Sequence, residues 1–318
     1  MRPSLLPLLF LSASAVLAGC AGGDGGEPAG EAAADLSAAK VSVESSGSLP
    51  LNEISGLGTR TVGGKPQYLA IGDSSTTVVT FGIGDDGLPT NVKKNDLKSQ
   101  FGNGDSQWEA IAGDSSGKVF IMSEGEATIS VLDADLKLKH VMNLTLPKES
   151  PLYTSWDRDE TSRGEGMLLL SNGHVLVAKE KGPAALIEFA PKGQAPAGYT
   201  PALALKGAFK VPSGESSELV AVKSWELKAS AARLIGDISD LTLDQDGSIL
   251  VLSDQSRAIG RIERELGVDE DKVDLKAIWD LPREVDKPEG LQLVNGAPFV
   301  ACDLSSADAT SFFGISAL

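Results

Sequence analysis

Short apolar runs separated by turn residues recur along the chain from about Leu51 to Leu318. The runs VFIM, VLVA, ILVL and PFVA are aliphatic or β-branched, and each follows a short turn that contains glycine. Such runs behind Asn-Gly or Asp-Gly turns are typical of β-hairpins. The alternating segments TISVLD, ALIEFA and AIGRIE follow three of them and predict a further strand. Because no stretch has the pattern of a long amphipathic helix, the sequence predicts an all-β fold.

An internal repeat organises these strands. In each copy a small or acidic residue precedes a Gly-like position and an apolar residue, and the second predicted strand ends in an acid. The copies begin at Ser55, Glu109, Glu165, Ser239 and Glu289, and their closing acids are Asp73, Glu124, Glu180, Asp254 and Asp303. The distance from start to closing acid is 15 residues in three copies, a register that chance alternation would not keep.

Repeating sets of about four strands predict a β-propeller, because the repeats of a β-helix are much shorter. Successive copies start 54, 56, 74 and 50 residues apart. The long step indicates an insertion within residues 198–233, in which the charged segment SWELKASAAR is a candidate helix. Residues 40–50 are expected to supply the outer strand that closes the ring. We predict five blades, with six as the alternative.

The amino terminus predicts export and a lipid anchor. One arginine precedes an apolar run that is shorter than the roughly 20 residues needed to span a bilayer, and Leu17-Ala18-Gly19-Cys20 resembles a bacterial lipobox. That resemblance implies cleavage of residues 1–19 and acylation of Cys20; an ordinary secretory signal is the alternative. Residues 20–49 are rich in Gly, Ala and Glu and predict a flexible tether. The propeller domain is then residues 50–318.

Composition excludes several classes of function. The 44 acidic residues against 28 basic ones give a net charge of −16, which argues against nucleic acid or anionic lipid headgroups as partners. The bilayer is therefore expected to be contacted through acylated Cys20 only. With two His and two Cys, a His-rich zinc site, a disulfide framework and an iron–sulfur cluster are not expected. The HExxH and P-loop motifs do not occur, and the single match to GxSxG, residues 113–117, falls in the predicted hairpin turn DSSGK rather than in a strand-to-helix elbow.

Several longer segments resemble the SdiA-regulated-like bacterial propeller proteins. In order, they are EISGL, WEAIA, GEGMLLLSNGHVLVAKEK, DISDLTLDQDGSILVLSDQSR and KPEGLQLVNG. The resemblance implies a five-bladed propeller, exported or membrane-tethered, with a calcium site and no established catalytic activity. The sequence departs from the family pattern at Asp240, where the family tends to have Gly, and at Ala110. The phytase-like and esterase-like propellers are similar at a greater distance.

The repeated acids are the candidate metal ligands. In an antiparallel hairpin the start of the first strand and the end of the second share an edge, so Glu109 is expected near Glu124, and Glu165 near Glu180. Ca²⁺ would neutralise such a cluster, because it takes six to eight oxygen ligands without His or Cys. The predicted ligands are Glu109, Glu165, Glu289, Glu124, Glu180, Asp254 and Asp237. The alternative is that these acids end strands, accept backbone hydrogen bonds and stay solvated.

The sequence also gives predictions for residues outside the repeated acids. Lys179 is expected to pair with one of the repeated acids, and the polar loop at residues 155–166 is the expected place for a substrate or partner contact. His140 and His174 are predicted to lie on the surface, and Cys302 to be a buried, inert thiol. The four tryptophans are expected to pack between blades; they are Trp108, Trp156, Trp225 and Trp279.

The sequence therefore predicts an anchored module of the bacterial cell envelope, facing the extracytoplasmic or periplasmic side. It would bind calcium and an unknown ligand or envelope protein without catalysis. The alternative is a metal-dependent phosphoesterase or lactonase-type hydrolase, in which a channel-bound cation activates water. A third possibility is a purely architectural scaffold, since a propeller fold does not by itself determine function.

Overall fold

The computed structural model describes residues 36–102 and 104–318. The predicted signal peptide (1–19), Cys20 and the tether up to residue 35 lie outside the described residues. Within the described ranges, no helix combines the length and apolar character needed to cross a membrane.

The described chain consists mainly of strands, arranged in successive sets. Two strands come first: β1 (Ala39–Lys40) and β2 (Val43–Gly47). Set one is β3 (Ile54–Val62), β4 (Lys65–Gly72), β5 (Ser75–Ile83) and β6 (Pro89–Asp96). Set two is β7 (Trp108–Gly113), β8 (Val119–Ser123), β9 (Thr128–Leu132) and β10 (Leu138–Thr145). Set three is β11 (Gly166–Leu169), β12 (Val175–Lys179), β13 (Ala185–Pro191) and β14 (Ser216–Leu227).

Two further sets complete the strands. Set four is β15 (Asp240–Leu243), β16 (Ile249–Ser253), β17 (Ala258–Ile262), the short β18 (Lys272–Val273) and β19 (Leu275–Asp280). Set five is β20 (Pro288–Val294), β21 (Ala297–Cys302) and β22 (Phe312–Ile315). The helices are short: α1 (Lys98–Phe101), α2 (Tyr153–Arg158), α3 (Ala229–Ala232), and 3-10 turns at Glu160–Ser162 and Pro201–Leu203.

Neighbouring strands within a set pair antiparallel, apart from β18, which pairs parallel with β14. In set five the fourth strand comes from the start of the described chain, because β2 pairs antiparallel with β22. The strand that residues 40–50 were expected to supply is therefore present. Strand β1 adds to set four by pairing parallel with β19. Sets two and three share one sheet, since their last strands, β10 and β14, pair in parallel.

The first strands of the sets surround a common axis. Strand β3 contacts β7, β7 contacts β11, β11 contacts β15, β15 contacts β20, and β20 returns to β3. A closed succession of radially arranged antiparallel sheets is a β-propeller. The all-β class and the propeller architecture expected from the repeat are confirmed.

The Gly-like position of the repeat marks where the first strands approach most closely. A Cβ atom on Gly166 would lie 2.5 Å from the backbone nitrogen of Leu241 in β15. One on Gly56 would lie 2.9 Å from the carbonyl oxygen of Glu109. A side chain larger than hydrogen does not fit at Gly56 or Gly166 while the backbones stay this close. The sequence pattern at this position therefore reports strand packing around the axis.

Apolar clusters fill the space between the sets, and the four tryptophans belong to them or border them. All four indole side chains are buried. The Trp108 ring meets Phe101 edge-on at 5.0 Å, and the Trp156 ring lies 5.6 Å from that of Phe189. Cys302 is buried in β21, where burial raises the pKa of its thiol to about 12. Both expectations, packing tryptophans and a buried thiol, are confirmed.

The prediction of surface histidines is wrong, because both imidazoles find hydrogen-bond partners inside the fold. His140 and His174 are each 3% exposed. The ring nitrogens of His140 lie 2.8 Å from the Gly214 carbonyl oxygen and 2.7 Å from Ser217 Oγ. Those of His174 lie 2.5 Å from Glu188 Oε1 and 2.7 Å from Gln194 Oε1.

The candidate helix in the insertion is divided between the end of a strand and one helical turn. Residues 224–227 of SWELKASAAR belong to β14, and only Ala229–Ala232 form a helical turn, α3. Strand β14 pairs with β10 through residues 216–220, with β13 through residues 219–226 and with β18 through Glu226 and Leu227. Those pairings satisfy its backbone groups on two sides, so tertiary structure overrides the local helix propensity of this segment.

Candidate functional site

The repeated acids lie at one edge of the sheets, where first strands begin and second strands end. The backbone N–H of Glu165 donates to the carbonyl of Ala178, at 3.0 Å, next to the end of β12. The N–H of Glu124, directly after β8, donates to the carbonyl of Gln107 at 3.1 Å. In these two sets the hairpin register therefore places the start of the first strand beside the end of the second.

A polar cavity of about 150 Å³ opens at this edge, and we call it the acid cavity. It contains four of the predicted ligands, two rim residues from loops and several further acids. Its lining is Glu53, Ser55, Asp73, Glu109, Thr161, Glu165, Glu180, Lys181, Glu289 and Asp303. Of the predicted set, Glu124, Asp254 and Asp237 are not part of this lining.

Three acids from the same repeat position resist ionisation. Burial, together with the charges of Glu124 and Asp73, raises the pKa of Glu109 from 4.5 to about 10. Burial and the neighbouring Glu109 raise the pKa of Glu165 well above its usual range. Burial and Asp254 do the same for the pKa of Glu289. Carboxylates held this close without a compensating cation favour the protonated form.

The closing acids leave buried oxygens without partners. Within the described residues, Asp73 Oδ1, Glu124 Oε2 and Glu180 Oε2 are buried and accept no hydrogen bond. Glu124 is only 5% exposed, and burial is the main cause that raises its pKa to about 7. A buried acceptor without a partner is destabilising by about 1–3 kcal/mol. These oxygens are therefore available to a ligand.

The side chains do not, as they stand, form a closed metal site. Among residues 36–102 and 104–318, no group of three or more His, Cys, Asp or Glu side chains is positioned to hold a metal ion. The donor set of the acid cavity is nevertheless entirely oxygen apart from Lys181, which is the chemistry that Ca²⁺ prefers.

The ion pair expected for Lys179 is made by its neighbour. Lys181 Nζ lies 2.7 Å from Glu180 Oε1 at the rim of the acid cavity. Lys179 is completely buried and its Nζ donates to the carbonyl oxygen of Lys181. Burial lowers the pKa of the Lys179 ammonium group. Lys179 therefore supports the turn that presents Lys181 and Glu180.

The polar loop at residues 155–166 reaches the acid cavity. Thr161, in the 3-10 turn after α2, contributes to the lining. The guanidinium group of Arg163 fixes the loop by donating to the carbonyl of Trp156 at 2.8 Å and to that of Gly125 at 2.9 Å. The sequence analysis identified this loop as a whole. No sequence motif marks Thr161 or Arg163 individually.

Asp237 and Asp240 have structural partners. Asp237 accepts a hydrogen bond from the Ser253 hydroxyl, and the N–H of Gln255 lies 3.3 Å from its carboxylate.

Asp240, at the Gly-like position of the repeat, accepts the N–H of Leu241 at 2.7 Å and of Leu291 at 2.6 Å. Its carboxyl thus connects β15 to β20. Burial raises the pKa of Asp240 well above its usual range despite these bonds. The only signal in the sequence was an acid where other copies have Gly or Ala.

Comparisons with known proteins place the chain in a family. A search of curated proteins finds no match. The solved structures with similar folds include glutaminyl cyclase from Myxococcus xanthus, at 12% identity and TM-score 0.49, covering 88% of this chain and 97% of that one. The PQQ-bound aldose sugar dehydrogenase of Streptomyces coelicolor has 10% identity and TM-score 0.47, covering 87% and 97%. Virginiamycin B lyase from Staphylococcus aureus has 14% identity and TM-score 0.39, covering 84% and 68%.

The sequence model described as SdiA-regulated matches residues 103–296, more than half of the chain. The chain belongs to the SdiA-regulated family.

Proposed function

We propose that this protein is a five-bladed β-propeller that binds Ca²⁺ in the acid cavity and, through that face, a ligand or an envelope protein, without catalysis. The observation that carries the proposal is a set of buried carboxylate oxygens that have no protein partner. Asp73 and Glu180, which line the acid cavity, and Glu124, which lies outside its lining, each have such an oxygen. Glu109 and Glu165 line the cavity while being only 9% and 8% exposed.

The strand sets support the proposal of five blades. Each of the five sets supplies one first strand to the ring, and the fifth set gains its outer strand from β2. The parallel pairing of β10 with β14 joins sets two and three at their outer edges. Their first strands, β7 and β11, remain two distinct strands, each paired with the second strand of its own set. A sixth blade would require another first strand between β20 and β3, which contact each other directly.

The chemistry of the donors suits a hard cation. Six to eight oxygen ligands at 2.3–2.6 Å are typical of Ca²⁺, and dissociation constants of about 10⁻⁴–10⁻³ M serve extracellular modules. Because the carboxylates do not yet converge, the proposal requires Glu109, Glu165 and a closing acid to draw together around the ion. Water would complete the coordination.

We also propose that acylated Cys20 anchors the protein to a bacterial envelope membrane, with the propeller on the extracytoplasmic or periplasmic side. The support is the sequence Leu17-Ala18-Gly19-Cys20 together with the short apolar run before it. Mass spectrometry of the protein from a bacterial host should find Cys20 as the lipid-modified first residue. An unmodified protein in the soluble fraction would contradict the anchor and leave the calcium proposal untouched.

Calorimetric titration of the full chain with Ca²⁺ tests the calcium proposal. We expect saturable binding that disappears in the double variant Glu109→Gln plus Glu165→Gln. The matched control is Glu149→Gln plus Glu265→Gln, which makes the same two substitutions at exposed positions. The proposal fails if the wild-type chain does not bind Ca²⁺ at millimolar concentration, or if the control variant loses binding equally.

A further inference from the structure

A second, larger cleft lies beside set four and has the opposite charge. Its volume is about 400 Å³, and Lys40, Ser256, Arg257, Asp280 and Arg283 contribute its polar lining. Lys40 ends β1 and Asp280 ends β19. Ser256 and Arg257 belong to the turn between β16 and β17, and Arg283 to the segment between β19 and β20. We call it the basic cleft.

The charge of the basic cleft is unusual for this chain. The protein has a net charge of −16, yet three cationic side chains and one carboxylate line this space. Within the described residues, Lys40, Arg257 and Arg283 make no ion pair within 4.0 Å, whereas many other Lys and Arg side chains do. Asp280 is the one carboxylate of the lining, and it forms no ion pair with any of the three. The cleft has a formal excess of two positive charges.

The backbone holds part of this lining in place. Arg257 has a φ of 46°, in the left-handed region that few residues other than glycine adopt. Its N–H donates to the carbonyl of Asp254 at 3.0 Å, and its own carbonyl accepts the N–H of Leu281 at 2.9 Å. The backbone of Arg257 is thus fixed between two segments of set four. Such preorganisation lowers the conformational entropy that this part of the protein loses when a ligand binds.

A neutral donor completes the set. Ser256 Oγ accepts the N–H of Gly236 at 3.1 Å, so its hydroxyl proton can be donated to an acceptor in the cleft. Guanidinium groups bind phosphate oxygens through two parallel hydrogen bonds, and a lysine adds a point charge. Two arginines, one lysine and one hydroxyl are a donor set for a group with several anionic oxygens.

We propose that the basic cleft binds the phosphate monoester of a small molecule. Such a group carries about −1.5 to −2 charge at pH 7 and three strong acceptor oxygens, which matches the excess charge and the donors. The cleft volume falls within the range of roughly 300–1,000 Å³ that is typical of small-molecule sites, so part of the esterified alcohol also enters. Asp280 is placed to accept a hydrogen bond from a hydroxyl of that alcohol.

The phosphate could belong to a free molecule or to a lipid headgroup, and the charge of the protein favours the free molecule. A chain of net charge −16 is repelled from an anionic membrane surface. A small phosphate ester experiences the local field of the cleft over a distance close to the Debye length, about 8 Å at physiological ionic strength. The inference does not depend on calcium in the acid cavity.

Titration of the full chain with glycerol 3-phosphate, monitored by calorimetry without added Ca²⁺, tests the proposal. We expect saturable binding that weakens by about tenfold or more in the double variant Lys40→Gln plus Arg283→Gln, because two charge-assisted contacts are lost. Both side chains are exposed, so folding should be retained. The control, Lys93→Gln plus Lys94→Gln, removes the same charge from exposed positions in β6 and should bind like the wild-type chain.

Two further measurements sharpen the result. Arg257→Lys keeps the charge but removes the planar fork, and should weaken binding of glycerol 3-phosphate severalfold. Phosphatidylcholine vesicles with and without phosphatidic acid, which is itself a phosphate monoester, test the lipid source. Binding of either probe that depends on Lys40 and Arg283 supports the phosphate site and identifies its source. Binding of neither, or equal loss in the Lys93/Lys94 control, overturns the proposal.

Discussion

Glu109 is a carboxylic acid held in surroundings that oppose its ionisation. It lies in β7 beside the strand-ending Glu124, and its carboxyl faces a cavity lined by other acids. Its pKa of about 10 means that it remains protonated in the folded protein at neutral pH, although it is ionised in the unfolded chain, where the pKa is near 4.5. This difference is a destabilising contribution that a bound cation would remove.

Glu109→Gln should therefore stabilise the calcium-free protein. Keeping a group with an unfolded-state pKa of 4.5 protonated at pH 7 opposes folding by about 3 kcal/mol, and the neutral amide avoids that contribution. We expect an increase in the free energy of unfolding of up to that size, measured by urea denaturation with a calcium chelator present. Glu149→Gln, at an exposed position, should change it little. A destabilised Glu109→Gln variant would show that the carboxyl makes an essential contact.

The same groups predict how stability depends on pH. The pKa of Glu124 is raised to about 7 and that of Glu109 to about 10, both from 4.5. A raised pKa in the folded state contributes stability that is complete below the unfolded pKa and is lost as the pH rises through the folded pKa. Without calcium, Tm should fall as the pH increases from about 5 to about 9. Glu124→Gln should reduce that slope, mainly below its folded pKa. A Tm that rises across this range would contradict the assignment.

The residue-scale features were only partly accessible from the sequence. Hairpin spacing predicted that Glu109 would meet Glu124, because register in a short hairpin is set by the turn. The partners of Asp237 and His174 could not be predicted, since they depend on the path of the Ser253–Gln255 turn and on residues 188–194. The sequence marks the types of side chain that can make such bonds. It does not show which of these side chains form hydrogen bonds within the tertiary fold.

At the scale of elements, the first strands pack with almost no space between their backbones. Gly166→Ala would bring a Cβ atom within 2.5 Å of Leu241 N and 2.8 Å of the Asp240 carbonyl carbon. Both are backbone atoms of set four, so relief requires β11 and β15 to separate. We expect a loss of about 1–3 kcal/mol in the free energy of unfolding. Gly207→Ala is the control, because an added Cβ there meets no atom within 4 Å. Equal effects of the two variants would contradict the close approach at the axis.

The elements themselves were predictable where the apolar period was strong and unpredictable in the insertion. Runs such as VFIM and ILVL became β8 and β16 within one residue of the predicted segments. Strand β14 was missed because its 12 residues carry charges and helix formers, and it is held by β10 and β13 from two different sets. Pairing partners so distant in sequence leave no local pattern.

At the scale of the whole molecule, ring closure depends on the start of the described chain. Strand β22 pairs with β21 on one side and β2 on the other. It carries the buried residues Phe312, Phe313 and Ile315. Without β2, one edge of β22 would present unpaired backbone groups beside an apolar face, and exposed edges of this kind favour association with other chains.

Deletion of residues 1–47 should therefore damage the propeller far more than deletion of residues 1–35. The longer deletion removes β1 and β2 with their pairings to β19 and β22, whereas the shorter one retains every strand of the described chain. At about 1 kcal/mol for each lost backbone hydrogen bond, we expect the free energy of unfolding to fall by roughly 2–4 kcal/mol relative to the shorter deletion. Concentration-dependent association, measured by sedimentation, should accompany that loss. If both deletions unfold at the same urea concentration and remain monomeric, the ring is closed by the sets themselves, and β2 only covers an edge that is already stable.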